Sequence, residues 1–157
     1  MKEINKYVFL FIFLLGGIVH KKSAQEKEAL QPNISATSSK KKEADSLLNL
    51  GIRYQDQGDF STSLVFFEKS ILLYKDTHQN KNIGDCYSYI ATSYYYQGEY
   101  TKALFFFDKS KEFYSKIGYK RGISSILNNM GGVHYYLGNY PKALELYKKA
   151  VIIQEEI

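Results

Sequence analysis

QGDF at residues 57–60, QGEY at 97–100 and LGNY at 137–140 set Gly58, Gly98 and Gly138 forty residues apart. Sliding the chain over itself by the same offset superposes Leu50, Ile90 and Met130; Gly51, Ala91 and Gly131; Tyr54, Tyr94 and His134; and Phe60, Tyr100 and Tyr140. It also superposes Ser63, Ala103 and Ala143; Leu64, Leu104 and Leu144; and Phe67, Phe107 and Tyr147. So many coincidences mark an internal repeat, and a period of this size means stacked supersecondary units, each leaning on its neighbour. On either side of each glycine the apolar residues return every three or four positions. Leu47, Leu50, Gly51 and Tyr54 form one such stripe, and Leu64, Phe67 and Ile71 form the next. That spacing puts them on one face of a helix. The glycine between the stripes is expected to take the left-handed conformation that closes the first helix, and Pro141 suits the first turn of the second. Gly51, Ala91 and Gly131, with Ser63, Ala103 and Ala143 opposite, are expected to let the paired backbones approach closely. The fold class that follows is all-α, a right-handed solenoid of about three helix-turn-helix hairpins with the first helices inside.

MGGVHYYLGNYPKALELY at residues 130–147 resembles the tetratricopeptide motif of a large apolar residue, Leu-Gly, Tyr, Gly-x-Tyr, Ala-Leu and a late aromatic. The resemblance covers residues 44–157, with repeats at about 44–83, 84–123 and 124–157, the last of them truncated. The period exceeds the usual 34 residues. The extra residues are expected between the second helix and the next repeat, around Asp76 to Asn82 and Ser115 to Arg121. In this the chain is similar to the 40-residue variety found in kinesin light chains and bacterial tetratricopeptide regulators.

The resemblance implies a concave groove, lined by the first helices, that receives a protein or peptide segment. Its register assigns Asp45, Leu48, Asn49, Ile52, Gln55 and Asp56 to that face in repeat 1. Repeat 2 gives Asp85, Ser88, Tyr89, Thr92, Tyr95 and Tyr96; repeat 3 gives Ser125, Asn128, Asn129, Gly132, Tyr135 and Tyr136. The expected partner-binding residues are Asn49, Gln55, Ser88, Thr92, Tyr95, Tyr96, Asn128, Asn129, Tyr135 and Tyr136. Gly58, Gly98, Gly138, Ala103 and Ala143 are expected to be structural. Tyrosine suits an interface because it offers a large contact area and a hydroxyl at a small entropy cost. In the longer-period relatives an asparagine placed like Asn49 or Asn129 holds the backbone of a bound peptide, but Tyr89 interrupts that ladder here. Capture of a C-terminal carboxylate needs basic residues on this face, and none of these positions carries one.

The formal charge of +5 at first suggests nucleic acid. Residues 1–42 account for all of it, with eight lysines against Glu3, Glu26 and Glu28, and the remainder is neutral with 13 basic and 13 acidic residues. A neutral array lacks the basic stripe that phosphate binding requires, so nucleic acid is not an expected partner. Tyr7 to Val19 form an apolar run preceded by Lys2 and Lys6, which reads as the core of an export signal and is short for a membrane span. Two outcomes stay open for residues 1–24: a peptide cleaved after Ala24, or an uncleaved anchor that supplies the only membrane contact. No cysteine ends the run, so it does not resemble a lipoprotein signal. Gln25 to Lys42 are polar, contain Pro32 and read as a flexible linker before an array spanning 43–157. The expected location is the periplasm or the extracellular side.

Chemistry is scarce. His20 belongs to the leader, His78 falls near a turn, and His134 occupies a tyrosine position of the repeat. No His/Cys cluster has metal spacing, Asp56 and Asp59 suit a solvated turn beside Gly58, and Gly131-Gly132 lies inside a helical pattern, not between strand and helix. The lone Cys86 reads as a small buried residue. The expectation is therefore a non-catalytic chain with no cofactor, no metal and no small-molecule substrate. One functional reading is an exported scaffold that recruits a protein; the alternative is the input region of a longer bacterial signalling protein, a histidine kinase or a transcriptional regulator. Val151, Ile152 and Ile157 are expected to lie uncovered, as in a fragment of a longer protein or at an end that pairs with another chain.

Overall fold

The computed structural model describes residues 35–157. The apolar leader, the candidate cleavage site and residues 25–34 of the expected linker lie outside the described residues. Six helices follow in order: α1 over residues 35–56, α2 Phe60–Asp76, α3 Asn80–Tyr96, α4 Tyr100–Lys116, α5 Lys120–Tyr136 and α6 Tyr140–Glu155. Lys40–Ile157 forms one compact unit. Consecutive helices pair as hairpins, α1 with α2, α3 with α4 and α5 with α6, and the hairpins stack into an all-α solenoid.

The helices account for the long period. Each of α2 to α5 has 17 residues, and each turn has three, so two helices and two turns fill the forty. The residues expected as inter-repeat insertions are thus helical, apart from the turns 77–79 and 117–119. The repeats begin about four residues earlier than the apolar pattern suggested, because α3 opens on the polar Asn80, Lys81 and Asn82 and α5 on Lys120 and Arg121, which carry no apolar signal.

All five turns close alike. Gly58, Gly98 and Gly138 have φ of 78°, 76° and 73°; Gly118 and His78, in the turns between hairpins, have 64° and 54°. Left-handed residues therefore recur every twenty positions, with a histidine once standing where the others have glycine. After each of them an amide N–H donates to the carbonyl five residues back, as from Asp59 to Tyr54, Gln79 to Tyr74 and Glu99 to Tyr94, each at 2.9 Å. These bonds satisfy carbonyls that the helix end would otherwise leave free.

The expected linker is overturned for residues 35–42, which are helical. Lysine is a good helix former and needs no apolar stripe on a solvated turn. Lys41 Nζ lies 2.8 Å from Asp45 one turn on, and Lys40 Nζ lies 2.9 Å from Asp76 at the end of α2.

Two apolar clusters hold the stack, and each draws on two neighbouring hairpins. Phe67, Ile71 and Tyr74 of α2 pack with Ile83, Cys86 and Ile90 of α3; Ala103, Phe107 and Tyr114 of α4 pack with Ile126, Leu127, Met130 and Val133 of α5. Burying such side chains is worth about 1.5–3 kcal/mol each, and one hairpin alone could not bury them. Ser63, Ala103 and Ala143 are buried as expected of close-packing positions. Gly51 and Gly131 work differently from the expectation. A Cβ at Gly51 would meet the Phe67 ring at 2.5 Å, and one at Gly131 the Tyr147 ring at 2.6 Å, so each glycine makes room for a ring and not for a helix backbone.

Hydrogen bonds tie each hairpin internally. Ser70 Oγ donates to the Ala44 carbonyl and Ser110 Oγ to the Gly84 carbonyl, both at 2.8 Å. In the third hairpin the serine changes sides: position 150 is alanine, and Ser124 Oγ donates to the Ala150 carbonyl at 2.8 Å. Tyr74 donates to Asp45 at 2.6 Å and Tyr114 to Asp85 at 2.7 Å. Burial, reinforced by the accepting carboxylate, pushes both phenols well above their usual range.

Candidate functional site

Between the second and third hairpins the first helices part to form a cleft of about 260 Å³. Thr92, Tyr95 and Tyr96 of α3 form one wall and Asn128, Asn129 and Gly132 of α5 the other, with Phe107 and Tyr147 contributed by the second helices. Adjacent first helices run alike, so residues forty or thirty-six apart meet across the gap. Six groove positions read from the sequence thus converge at one place. Phe107 and Tyr147 were legible only as aromatics in register; the Tyr147 ring reaches the cleft by lying against Gly131.

A chain of tyrosines borders the cleft. Tyr95 lies 5.4 Å from Tyr96, 5.9 Å from Tyr100 and 5.6 Å from Tyr136, measured between ring centroids. Tyr100 stacks on Tyr136 at 6.2 Å, and Tyr135 meets Tyr140 edge to face at 5.4 Å. Tyr96, Tyr135 and Tyr136 remain 64%, 56% and 62% exposed, so their contact area is available to a partner. Burial, aided by a hydrogen bond with Tyr136, pushes the Tyr95 hydroxyl up to about 12. Asn128 is exposed and Asn129 half-exposed. The cleft therefore offers amides and hydroxyls with no charge at its walls, a set suited to the N–H and C=O groups of an extended peptide.

Other expected groove residues lie elsewhere. Gln55 is buried, and its Nε2 donates to the Tyr89 carbonyl and to Ser93 Oγ, both at 2.8 Å, riveting the first hairpin to α3. Its polarity suggested solvent, but its register points it at the neighbouring hairpin. Asp45 and Asp85 are engaged by Tyr74 and Tyr114. Burial disfavours the Asp45 carboxylate, yet the hydrogen bonds from Lys41 and Tyr74 outweigh it and hold the pKa below its ordinary value. The Ser88 carbonyl accepts from Thr92 Oγ1 at 3.0 Å, one turn away from the cleft.

Asn49 faces the far end of the stack. In α3 the stripe Asn82, Cys86, Tyr89, Ser93 and Tyr96 addresses the preceding hairpin. Cys86 Sγ lies 3.8 Å from Ser70 Oγ, Ser93 Oγ lies 3.2 Å from Ser63 Oγ, Tyr89 stacks on Phe67 at 5.4 Å and Tyr96 stacks on Phe60 at 5.8 Å. The same register in α1 reads Lys42, Ser46, Asn49, Arg53 and Asp56, all exposed. Asn49 thus belongs to a polar end face, and the equivalence with Asn129 is one of sequence, not of surroundings.

The candidates for chemistry remain dispersed. Cys86 is fully buried, and burial pushes its thiol up to about 12, so it is a poor nucleophile. His134 Nδ1 is buried without a hydrogen-bond partner, because imidazole stands where Tyr54 and Tyr94 stack on Phe66 and Phe106. Among the described residues no three His, Cys, Asp or Glu side chains are grouped to hold a metal. No described helix is long and apolar enough to cross a membrane. A second cleft, of about 510 Å³, opens between α5 and α6 among Arg121, Ser124, Ser125, Asn128, Ala150, Val151, Gln154 and Glu155.

A family model described as tetratricopeptide repeat matches residues 42–116 and again 82–156. No curated protein matches the chain. Among solved structures, aspartyl phosphate phosphatase F from Bacillus subtilis superposes with a TM-score of 0.72 at 19% identity over 74% of this chain and 31% of that one. The TPR domain of Arabidopsis FLU gives 0.69 at 18% identity over 75% and 99%. The Rap conjugation gene regulator of plasmid pLS20, solved in complex with the Phr* peptide, gives 0.66 at 23% identity over 71% and 31%. The chain spans about a third of the length of the first and third of these structures.

Proposed function

Because the chain belongs to the tetratricopeptide repeat family, we propose that it is a non-catalytic interaction scaffold that holds a peptide or an extended protein segment in the cleft between α3 and α5. The observation that carries this reading is the convergence of Thr92, Tyr95, Tyr96, Asn128, Asn129 and Gly132 on one cleft, bordered by exposed tyrosines. The pLS20 regulator, solved in complex with the Phr* peptide, and the TPR2AB domain of yeast Sti1, in complex with pHSP90, support this reading. Asn128 and Asn129 would bind backbone groups while the tyrosines cover the side chains. Because the walls are uncharged, binding should depend weakly on salt. The test is a peptide selected from a random display library on the full chain. Asn128→Ala with Asn129→Ala should weaken its capture about tenfold or more while leaving the melting temperature within a few degrees. Unchanged capture by the stable double variant rejects the cleft.

Export belongs to the same proposal and rests on the apolar run Tyr7 to Val19 behind Lys2 and Lys6. A fusion of residues 1–30 to a reporter active only outside the cytoplasm should give signal; an inactive but expressed fusion rejects export.

A further inference from the structure

The tyrosine rings beside the α3/α5 cleft form notches, not a flat platform. Tyr95 meets Tyr96 at an interplanar angle of 63° and Tyr136 at 72°, and Tyr135 meets Tyr136 at 87°. The centroids of these three pairs lie 5.4, 5.6 and 6.0 Å apart. Tyr96, Tyr135 and Tyr136 are all more than half exposed, so the notches between the rings are open to solvent. Beside them Asn128 and Asn129 each carry an amide that can donate, and none of the residues lining the cleft is charged.

We propose that this tyrosine ridge and its cleft recognise a proline-rich segment in the polyproline II conformation; the inference rests on the peptide-cleft reading and names its ligand. The other ways of taking up a peptide lack their parts here. An added strand needs a free sheet edge, and no strand occurs among the described residues. A helix laid in a groove needs apolar walls, whereas Thr92, Asn128 and Asn129 are polar. An acidic or phosphorylated segment needs an arginine cluster, which the cleft walls do not carry. An uncharged groove lined by aromatic rings is what a polyproline II segment docks against.

The geometry and the hydrogen-bonding groups both match such a segment. Two residues advance about 6 Å along a polyproline II helix, close to the step between neighbouring rings, so prolines can enter successive notches. Proline has no backbone N–H, so a proline run presents carbonyl acceptors alone. The Asn128 and Asn129 amides and the phenol hydroxyls supply donors to them, and no donor of the ligand is left unsatisfied when the cleft is desolvated. A cleft of about 260 Å³ offers limited contact, which favours a ligand whose shape is preformed and whose ordering costs little. A sugar chain also stacks on aromatic side chains, but it needs flat, open ring faces, and the edge-to-face pairs interrupt them.

The experiment is fluorescence anisotropy of a labelled oligoproline of about ten residues, which spans about 31 Å as polyproline II, titrated with the full chain. Saturable binding is expected, and a Gly-Ser peptide of the same length should not bind. Tyr96→Leu and Tyr136→Leu keep an apolar side chain at an exposed position and remove the flat ring, so each should weaken binding at least tenfold with little change in melting temperature. Asn49→Ala, at the far end of the stack, should leave binding unchanged. Absence of saturable oligoproline binding, or binding undiminished in either leucine variant, overturns the proposal. Should a leucine variant melt early, displacement of the labelled oligoproline by an unlabelled display-selected peptide takes its place, and failure to displace overturns the proposal. Binding of cellohexaose without binding of oligoproline would assign the rings to sugar and likewise overturn it. A selected peptide that is lost on Asn128→Ala with Asn129→Ala, while oligoproline never binds, rejects proline as the ligand and leaves the cleft as a peptide site.

Discussion

Replacing Gln55 separates a residue that joins hairpins from one that meets a partner. Its Nε2 donates two hydrogen bonds of 2.8 Å, to the Tyr89 carbonyl and to Ser93 Oγ, from a site that is only 9% exposed. Gln55→Met keeps the side-chain volume and removes both bonds, each worth about 0.5–1.5 kcal/mol net. Neither acceptor is stranded, because the Tyr89 carbonyl lies within α3 and Ser93 Oγ retains Ser63 Oγ at 3.2 Å. The expected cost is therefore about 1–3 kcal/mol, toward the lower end. Gln55→Ala also empties the space of the Cγ methylene and the amide group, adding about 0.8 kcal/mol for the methylene, for a total of about 2–4 kcal/mol. For a unit of this size each kcal/mol should lower the melting temperature by about 3–5 °C. Urea denaturation followed by circular dichroism gives both free energies, and an unchanged slope would show that the unfolded reference is the same. If both variants melt like the wild type while capture of a selected peptide falls, Gln55 is a groove residue and the junction described here is wrong.

His78→Gly should stabilise the chain by up to about 1 kcal/mol, because among the described residues a histidine at φ 54° occupies the one left-handed turn position without glycine; a lower melting temperature would contradict this. Ser70→Ala should cost about 0.5–1 kcal/mol, and adding Ala44→Ser should recover most of it by adopting the donor arrangement of Ser124 and Ala150. A double variant no more stable than Ser70→Ala would show that the two arrangements are not interchangeable. Tyr74 and Tyr114 have folded pKa values raised from 10.0, so their contribution is fully present below about pH 10 and is lost as pH rises through the higher folded values. The wild-type urea midpoint should therefore fall more steeply above about pH 10 than that of Tyr74→Phe with Tyr114→Phe; parallel curves would refute the linkage.

The hairpins were legible because three glycines and seven aligned columns repeat a pattern that only stacked helices satisfy. What was hidden follows from the same repeat. The twenty-residue recurrence of left-handed turns escapes notice because His78 breaks the glycine series, and helix length is masked because polar stretches such as Lys40 to Lys42 and Asn80 to Asn82 carry no apolar signal. At the candidate site, Thr92, Tyr95, Tyr96, Asn128, Asn129 and Gly132, which the register assigned to the first-helix face, line one cleft. The register misled at Asn49 and Gln55 because a polar side chain on a first helix can face the groove, the neighbouring hairpin or the end of the stack. Which of these it faces depends on what packs beside it: α3 lies over Gln55, and Asn49 is exposed. The exchange of serine between positions 70 and 124 is visible in the aligned columns only once the contact between them is known.

Gly132→Leu offers the most direct test of the peptide cleft. A Cβ at Gly132 would have its nearest neighbour, the Tyr147 hydroxyl, at 3.8 Å, so a side chain is accommodated and extends into the cleft. Replacing a mid-helix glycine should also raise stability by about 0.5–1 kcal/mol. Titrating a display-selected peptide against wild-type and Gly132→Leu chains, with melting curves alongside, should show a variant that melts no lower than the wild type and has lost at least nine-tenths of its affinity. A variant equally stable that binds the peptide undiminished would contradict the assignment of the cleft as the binding site.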